Sequence, residues 1–253
     1  MKVICAGMSK CGTKSMHVAL EELGYTVCDF PDAFVHFVKN YMTFANKGWN
    51  SDEFRSMYED FDACVASPAY YFWEELVEVF PEAKVILMVR DSDEIWYKSI
   101  RKQRIVGTGN GLHRYYYPLF STIWRKFAAY LNNPCLIAFG HKTTGIFNFP
   151  TNHTPAALPF KLAYRKHIAH VTHSCPKDRL LIIQCKSDWK PLCEFLDKPI
   201  PTKPYPWINK DGELANILWK MPFLKQARRE MLTNVTILSA GILLLGIYLV
   251  RIK

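Results

Sequence analysis

The sequence predicts an α/β fold, a parallel sheet flanked by helices, with a transmembrane helix at the C-terminus. Three observations carry this. A short apolar run, Val3 to Ala6, passes through a glycine-containing loop into a helical pattern. Two later runs, Val85 to Val89 and Leu180 to Gln184, each lead through a turn into another helical pattern, the alternation expected of parallel strands joined by crossover helices. Finally, Met231 to Val250 is 20 residues without a charge, about 30 Å of helix, which is one bilayer core.

The first unit is the most informative. Val3 to Ala6 has the length of one buried strand. Met16, Ala19, Leu20 and Leu23 then recur at helical spacing, and Gly24 supplies the stop. Between them lies Gly7-Met8-Ser9-Lys10-Cys11-Gly12-Thr13-Lys14-Ser15. Strand, glycine loop and helix aim free N–H groups and a positive helix end at an anion. The ATP-binding loop G-x-x-x-x-G-K-[ST] is not matched, because Thr13 stands where its lysine belongs. Lys14-Ser15 comes one residue late, rotated about 100° around the helix.

The second unit, Ala83 to Gln103, is a strand ending on Arg90. An NTPase needs an aspartate there to hold Mg²⁺; an arginine instead offers a fork of donors to an anion. After an acidic turn, Ile95, Trp96, Ser99 and Ile100 start a helix. The third unit, residues 176–201, reads as a strand, a turn and a helix carrying Trp189, Leu192, Cys193 and Leu196.

Lys10 to Ser15 resembles the K-S-G-T-T loop of sulfotransferases. Arg90 to Ser99, with eight residues between them, resembles their R-x8-S pattern, and residues 176–201 resemble a W-x-P-L-C-x-F-L segment of the P-loop sulfotransferase-like family. The resemblance runs over roughly residues 1–210. It implies the sulfotransferase fold, a P-loop NTPase-like parallel sheet. It also implies 3′-phosphoadenosine 5′-phosphosulfate (PAPS) as co-substrate and no metal. The 5′-phosphosulfate then lies on Lys10, Cys11, Gly12, Thr13, Lys14 and Ser15, with Lys10 the catalytic lysine, and the 3′-phosphate lies on Arg90 and Ser99. Many family members place a histidine in a C-Y-H segment after the first helix. Here that stretch is Cys28-Asp29-Phe30-Pro31-Asp32, so His36 is the first candidate for the base, with Asp29, Asp32 and Glu74 behind it. Two other functions stay open: a sulfotransferase-fold nucleotide-binding or interaction protein without transferase activity, and a nucleotide kinase or NTPase. Lys14 and the missing aspartate disfavour the last.

The chain has 253 residues and eight cysteines without a C-x-x-C pair. Its first apolar run is already a strand, so no signal peptide is expected and the thiols read as reduced. Cys11 precedes a helix N-terminus, where thiol pKa values fall; it reads as a small filler, with a reactive thiol as the alternative. The net charge is +9, and all of the excess is central: Ile95 to Lys177 holds 12 Lys/Arg and no carboxylate, while the rest, with 20 basic and 23 acidic residues, sums to −3. Tyr115, Tyr116, Tyr117, Phe120, Trp124 and Phe127 are interleaved with those charges. A basic aromatic cover fits the anionic donor with an apolar or phenolic acceptor, or anionic lipid headgroups. Nucleic acid is not expected, since no binding motif is present. His167, His170 and His173 do not converge on one ion from a single helix and read as a solvated face. The expected organisation is a domain over 1–210, a basic juxtamembrane segment over 211–230 and a tail anchor over 231–250. Lys220, Lys225, Arg228 and Arg229 precede the span, which places the domain in the cytosol. Residues 199–207, PIPTKPYPW, read as a stiff exit from the domain.

Overall fold

The computed structural model describes residues 1–30, 33–34, 36–37, 40, 48, 50–67, 69–108, 113–139, 156–208 and 220–252. In chain order the elements are β1 (Val3–Cys5), α1 (Thr13–Glu22), β2 (Val27–Cys28), α2 (Ser51–Tyr58), β3 (Ala63–Cys64), α3 (Trp73–Val79) and β4 (Lys84–Val89). They continue with α4 (Asp93–Thr108), α5 (His113–Phe120), α6 (Thr122–Phe139), α7 (Ala157–Ser174), β5 (Leu180–Gln184), α8 (Trp189–Leu196) and α9 (Pro222–Ile252). Ala33, Phe34, His36 and Phe37 are also helical.

The five strands form one sheet in the order β2-β3-β1-β4-β5, and every pairing is parallel. Ile4 pairs with Cys64 on one side and Val85 on the other. β1 is fully buried and β4 is buried from Val85 to Val89, because helices cover both faces of a parallel sheet and its strands read as unbroken apolar runs. The chain leaves β1 for the β2–β3 side, then crosses back past β1 to β4. The loop after β1 therefore opens at the switch point, where the crevice of such a sheet lies.

One C-terminal expectation is corrected and another is extended. The Pro-rich stretch before residue 208 does not simply leave the domain. Trp189 Nε1 donates to the Lys203 carbonyl at 2.7 Å, Tyr205 packs edge-on against Trp189, and the Ile208 N–H donates to Ser15 Oγ at 3.1 Å. It folds back as a strap over the start of α1. The apolar C-terminus, in turn, is one continuous helix of 31 residues from Pro222, so the last part of the expected juxtamembrane segment already belongs to it. Leu224, Ala227 and Met231 are buried, and the Phe223 ring sits 4.8 Å from Phe34 and 5.2 Å from Phe127. The helix is long and apolar enough to cross a membrane; residues 209–219 lie outside the described residues.

Candidate active site

The loop after β1 is shaped by close approach and by hydrogen bonds from distant elements. A Cβ on Gly7 would lie 2.8 Å from Met88, so only glycine lets the loop pass β4. Lys10 and Gly12 both take positive φ, 75° and 85°. That conformation is cheap for Gly12, the N-cap of α1, and strained for Lys10. Arg90 answers the strain: its Nε donates to the Lys10 carbonyl at 2.7 Å. Trp96 Nε1 donates to the Ser9 carbonyl at 2.9 Å. The Tyr164 hydroxyl accepts from the Arg90 N–H at 2.8 Å, and the Tyr164 ring stacks on Trp96. One turn on, His167 Nε2 donates to the Ala6 carbonyl at 2.6 Å. Helices α4 and α7 thus clamp the loop from outside.

A cavity of about 580 Å³ opens above it, within the range of small-ligand sites. Lys10, Gly12, Thr13, Lys14, Ser15 and Arg90 line it. Thr13, Lys14 and Ser15 begin α1, where backbone N–H groups have no helical partner. Among the described residues the two terminal nitrogens of Arg90 have no protein partner, so the guanidinium holds the loop with one edge and can meet an anion with the other.

Lys14 has a different neighbour. Its Nζ donates to Asp29 Oδ2 at 2.5 Å and to the Phe30 carbonyl, which draws it away from where a Walker-type lysine reaches. Asp29 lines the cavity at the carboxyl end of β2 and is only 1% exposed. Burial pushes its carboxyl above the usual range, against the pull of Lys14 and His17. Its Oδ1 is buried and has no hydrogen-bond partner among the described residues, an orphan that a ligand donor would satisfy.

Three expected site residues stand elsewhere. Cys11 lies beneath the loop: its N–H donates to the Met8 carbonyl at 3.1 Å and its thiol faces the Tyr164 hydroxyl. Burial pushes that thiol up to about 12, so it is protonated near neutral pH and the filler reading holds over the reactive one. Ser99 is half-buried on α4, one turn before Gln103, and it is Gln103 that reaches the cavity wall. His36 is exposed and lies 6.3 Å from the Phe61 ring. Phe61 precedes β3, at the amino end of the sheet, whereas the cavity is at the carboxyl end. Of the other base candidates, Glu74 pairs with His170 at 2.8 Å and Asp32 lies outside the described residues.

The histidine run departs from a simple solvated face. His167 is turned inward, and burial holds its pKa below the usual histidine value; His170 pairs with Glu74, and His173 is exposed. No group that could hold a metal occurs among the described residues. Beyond Ser9 and Phe30, the rest of the wall is made by Ala66, Ser67, Gln103, Cys185, Trp207 and Ile208. None carries a motif; the proline-rich run ending in Trp207 was the available signal, and it marked stiffness rather than a cavity wall.

Fold and site together define an α/β protein with a glycine-containing loop and a cavity at the switch point of a parallel sheet. The chain belongs to the sulfotransferase domain family, which it matches over residues 2–214, and this supports a sulfotransferase-like function. It is similar to "Ava biosynthesis cluster protein M" of Aspergillus versicolor, 32% identical over 244 residues, spanning 87% of this chain and 86% of that protein.

Proposed function

We propose that the chain is a membrane-tethered sulfotransferase that moves a sulfuryl group from PAPS to a hydroxyl or amine acceptor. The observation that carries the reading is the cavity wall. Lys10, the first amides of α1 and Arg90 share one cavity, and β4 is followed directly by that arginine instead of a carboxylate that would hold Mg²⁺. Lys10 and the amides would stabilise the charge that collects on the departing 5′-phosphate as the S–O bond breaks. The outer edge of Arg90 would take the 3′-phosphate. Asp29 replaces His36 as the proton acceptor: its unpartnered Oδ1 takes the proton of an acceptor hydroxyl while that oxygen attacks sulfur, and the bisphosphate leaves with the electron pair of the broken bond. Lys14 keeps Asp29 charged for this step. The basic residues ahead of the span support a reading in which the domain lies on the cytosolic side. A second reading, a nucleotide-binding protein without transferase activity, draws on the distance of His36 from the cavity.

The test is thermal denaturation with adenosine 3′,5′-bisphosphate against ADP plus Mg²⁺, followed by a transfer assay over phenols, alcohols and amines. At a hundredfold excess over Kd the bisphosphate should raise Tm by about 5–10 °C, and ADP with Mg²⁺ should not. Replacing Arg90 with alanine should weaken the bisphosphate tens- to a hundredfold, about 2–3 kcal/mol, and a nucleotide without the 3′-phosphate much less. Equal shifts for both nucleotides would favour the kinase-like reading; stabilisation without any transfer would favour the binding protein.

A further inference from the structure

The C-terminal helix is too short, beyond the domain, to cross a membrane alone. From Thr236 onward every described residue of α9 is exposed, and the apolar stretch ends at Val250 before Arg251. Those 15 residues make about 22 Å of helix, against about 30 Å of hydrocarbon. The missing length, about 8 Å, is that of Met231 to Val235. One face of this stretch is docked on the corner where α5 turns into α6, while Leu232 and Thr233 face outward. Met231 and Val235 pack with Tyr117, Phe120, Ile123 and Trp124, and Asn234 Nδ2 donates to the Phe120 carbonyl at 2.8 Å. If the helix spans, the corner goes in with its first turns.

The corner is built for that position. Its outer residues are apolar and amphipathic: Leu119 is 57% exposed and Tyr116 is 42% exposed. Its polar groups are tied off internally. Glu230 Oε2 accepts from Ser121 Oγ at 2.8 Å and from the Ile123 N–H at 3.1 Å. Arg125 donates to the carbonyls of Pro118 and Leu119 at 3.1 and 3.2 Å. A turn that enters a water-poor layer needs its backbone satisfied in this way. Arg125 and Lys126 on α6, with Arg228 and Arg229 on α9, are exposed in the adjoining turns, at the level where basic side chains meet anionic headgroups.

We propose that the α5–α6 corner, led by Tyr116 and Leu119, is seated in the interfacial layer of the bilayer that α9 crosses. The domain is then held by two contacts in a fixed attitude instead of hanging from one helix. This rests on the reading of α9 as a membrane span. The full chain, reconstituted into phosphatidylcholine–phosphatidylserine vesicles, carries a fluorophore at Leu119→Cys, Leu244→Cys or Lys190→Cys, with the labelled native chain as background. Lipid brominated high in the acyl chain should quench Leu119→Cys strongly, Leu244→Cys by its own depth, and Lys190→Cys hardly at all. Aqueous iodide should show the reverse order for Leu119 and Lys190. Quenching by lipid at position 244 without quenching at 119, and with free access of iodide to 119, would overturn the corner contact and leave the span standing. A label at 119 shielded from iodide yet untouched by bromolipid would assign the patch to a second copy of the chain, and would equally overturn it. No lipid quenching at either 119 or 244 would remove the span itself, and the corner contact with it.

Discussion

The cavity wall is made in two ways. One part is continuous chain plus one residue: Lys10, Gly12 to Ser15, and Arg90 at the end of the neighbouring strand. The other part, with Asp29, Ser67, Gln103 and Trp207, is collected from four separate segments. The first part is locked by Trp96, Tyr164, His167 and Arg90, each bonded to a loop or strand backbone group. In the second, Asp29 is paired with Lys14 and His17, and one of its oxygens has no partner among the described residues. Fixed donors suit a constant anionic group, whereas an assembled wall with an open acceptor suits a partner that varies. Family resemblance accordingly speaks to the nucleotide and stays silent on the acceptor.

The largest effect expected is at the locked part. Lys10→Ala should lower sulfuryl transfer about 10³-fold, the upper end for one preorganised donor, while the affinity for adenosine 3′,5′-bisphosphate falls far less. The product has lost the bond on which the lysine acts. Single-turnover transfer and product titration separate the two; parallel losses would make Lys10 a binding residue only.

Next is the open acceptor. Asp29→Asn should slow transfer to a hydroxyl about 100-fold. That is the low end for a general base, because a loose transition state develops little charge on the attacking oxygen. As pH falls, Asp29 gains a proton and the base is lost, so the native rate should drop on the acid side. Burial raises this carboxyl, so that limb lies above the ordinary carboxylate value. The asparagine variant should lose the limb and keep nucleotide affinity. An unchanged limb would assign it to another group.

A smaller effect is expected at the clamp. Tyr164→Phe removes the acceptor of the Arg90 N–H and leaves that donor without its partner. The cost is about 1–3 kcal/mol, read as a fall in Tm of several degrees, with transfer reduced only as far as Lys10 loosens. Tyr164 shows where the sequence was legible and where it was not. The β1 loop, β4 with Arg90, β5 and α8 were readable, because apolar runs and glycine spacing are local properties. The clamp was not readable: Tyr164 and His167 reach the loop from α7, more than 150 positions away, and helical spacing alone cannot distinguish an inward histidine from a solvated one. The strap was misread for the same reason, since proline fixes stiffness but not direction. Ser99 stands at the expected spacing from Arg90, yet Gln103, one turn later on α4, lines the wall, because spacing along a helix does not fix which turn meets the cavity.

The smallest effect sharpens the comparison most. His36→Ala should leave the transfer rate within about twofold and stability within about 0.5 kcal/mol, as for an exposed side chain away from special features. The pH profile should keep its acid limb. The reason is position: His36 faces Phe61 at the amino end of the sheet, while the cavity lined by Lys10, Asp29 and Arg90 opens at the carboxyl end. A tenfold loss together with a vanished limb would mean that the helical turns after Phe30 swing toward the cavity when nucleotide or acceptor binds. The assembled part of the wall would then be a moving element, and Asp29 would only hold its hinge. Measuring His36→Ala and Asp29→Asn singly and together decides between these. Independent sites multiply, whereas a base and its hinge would give a double variant no slower than the worse single one.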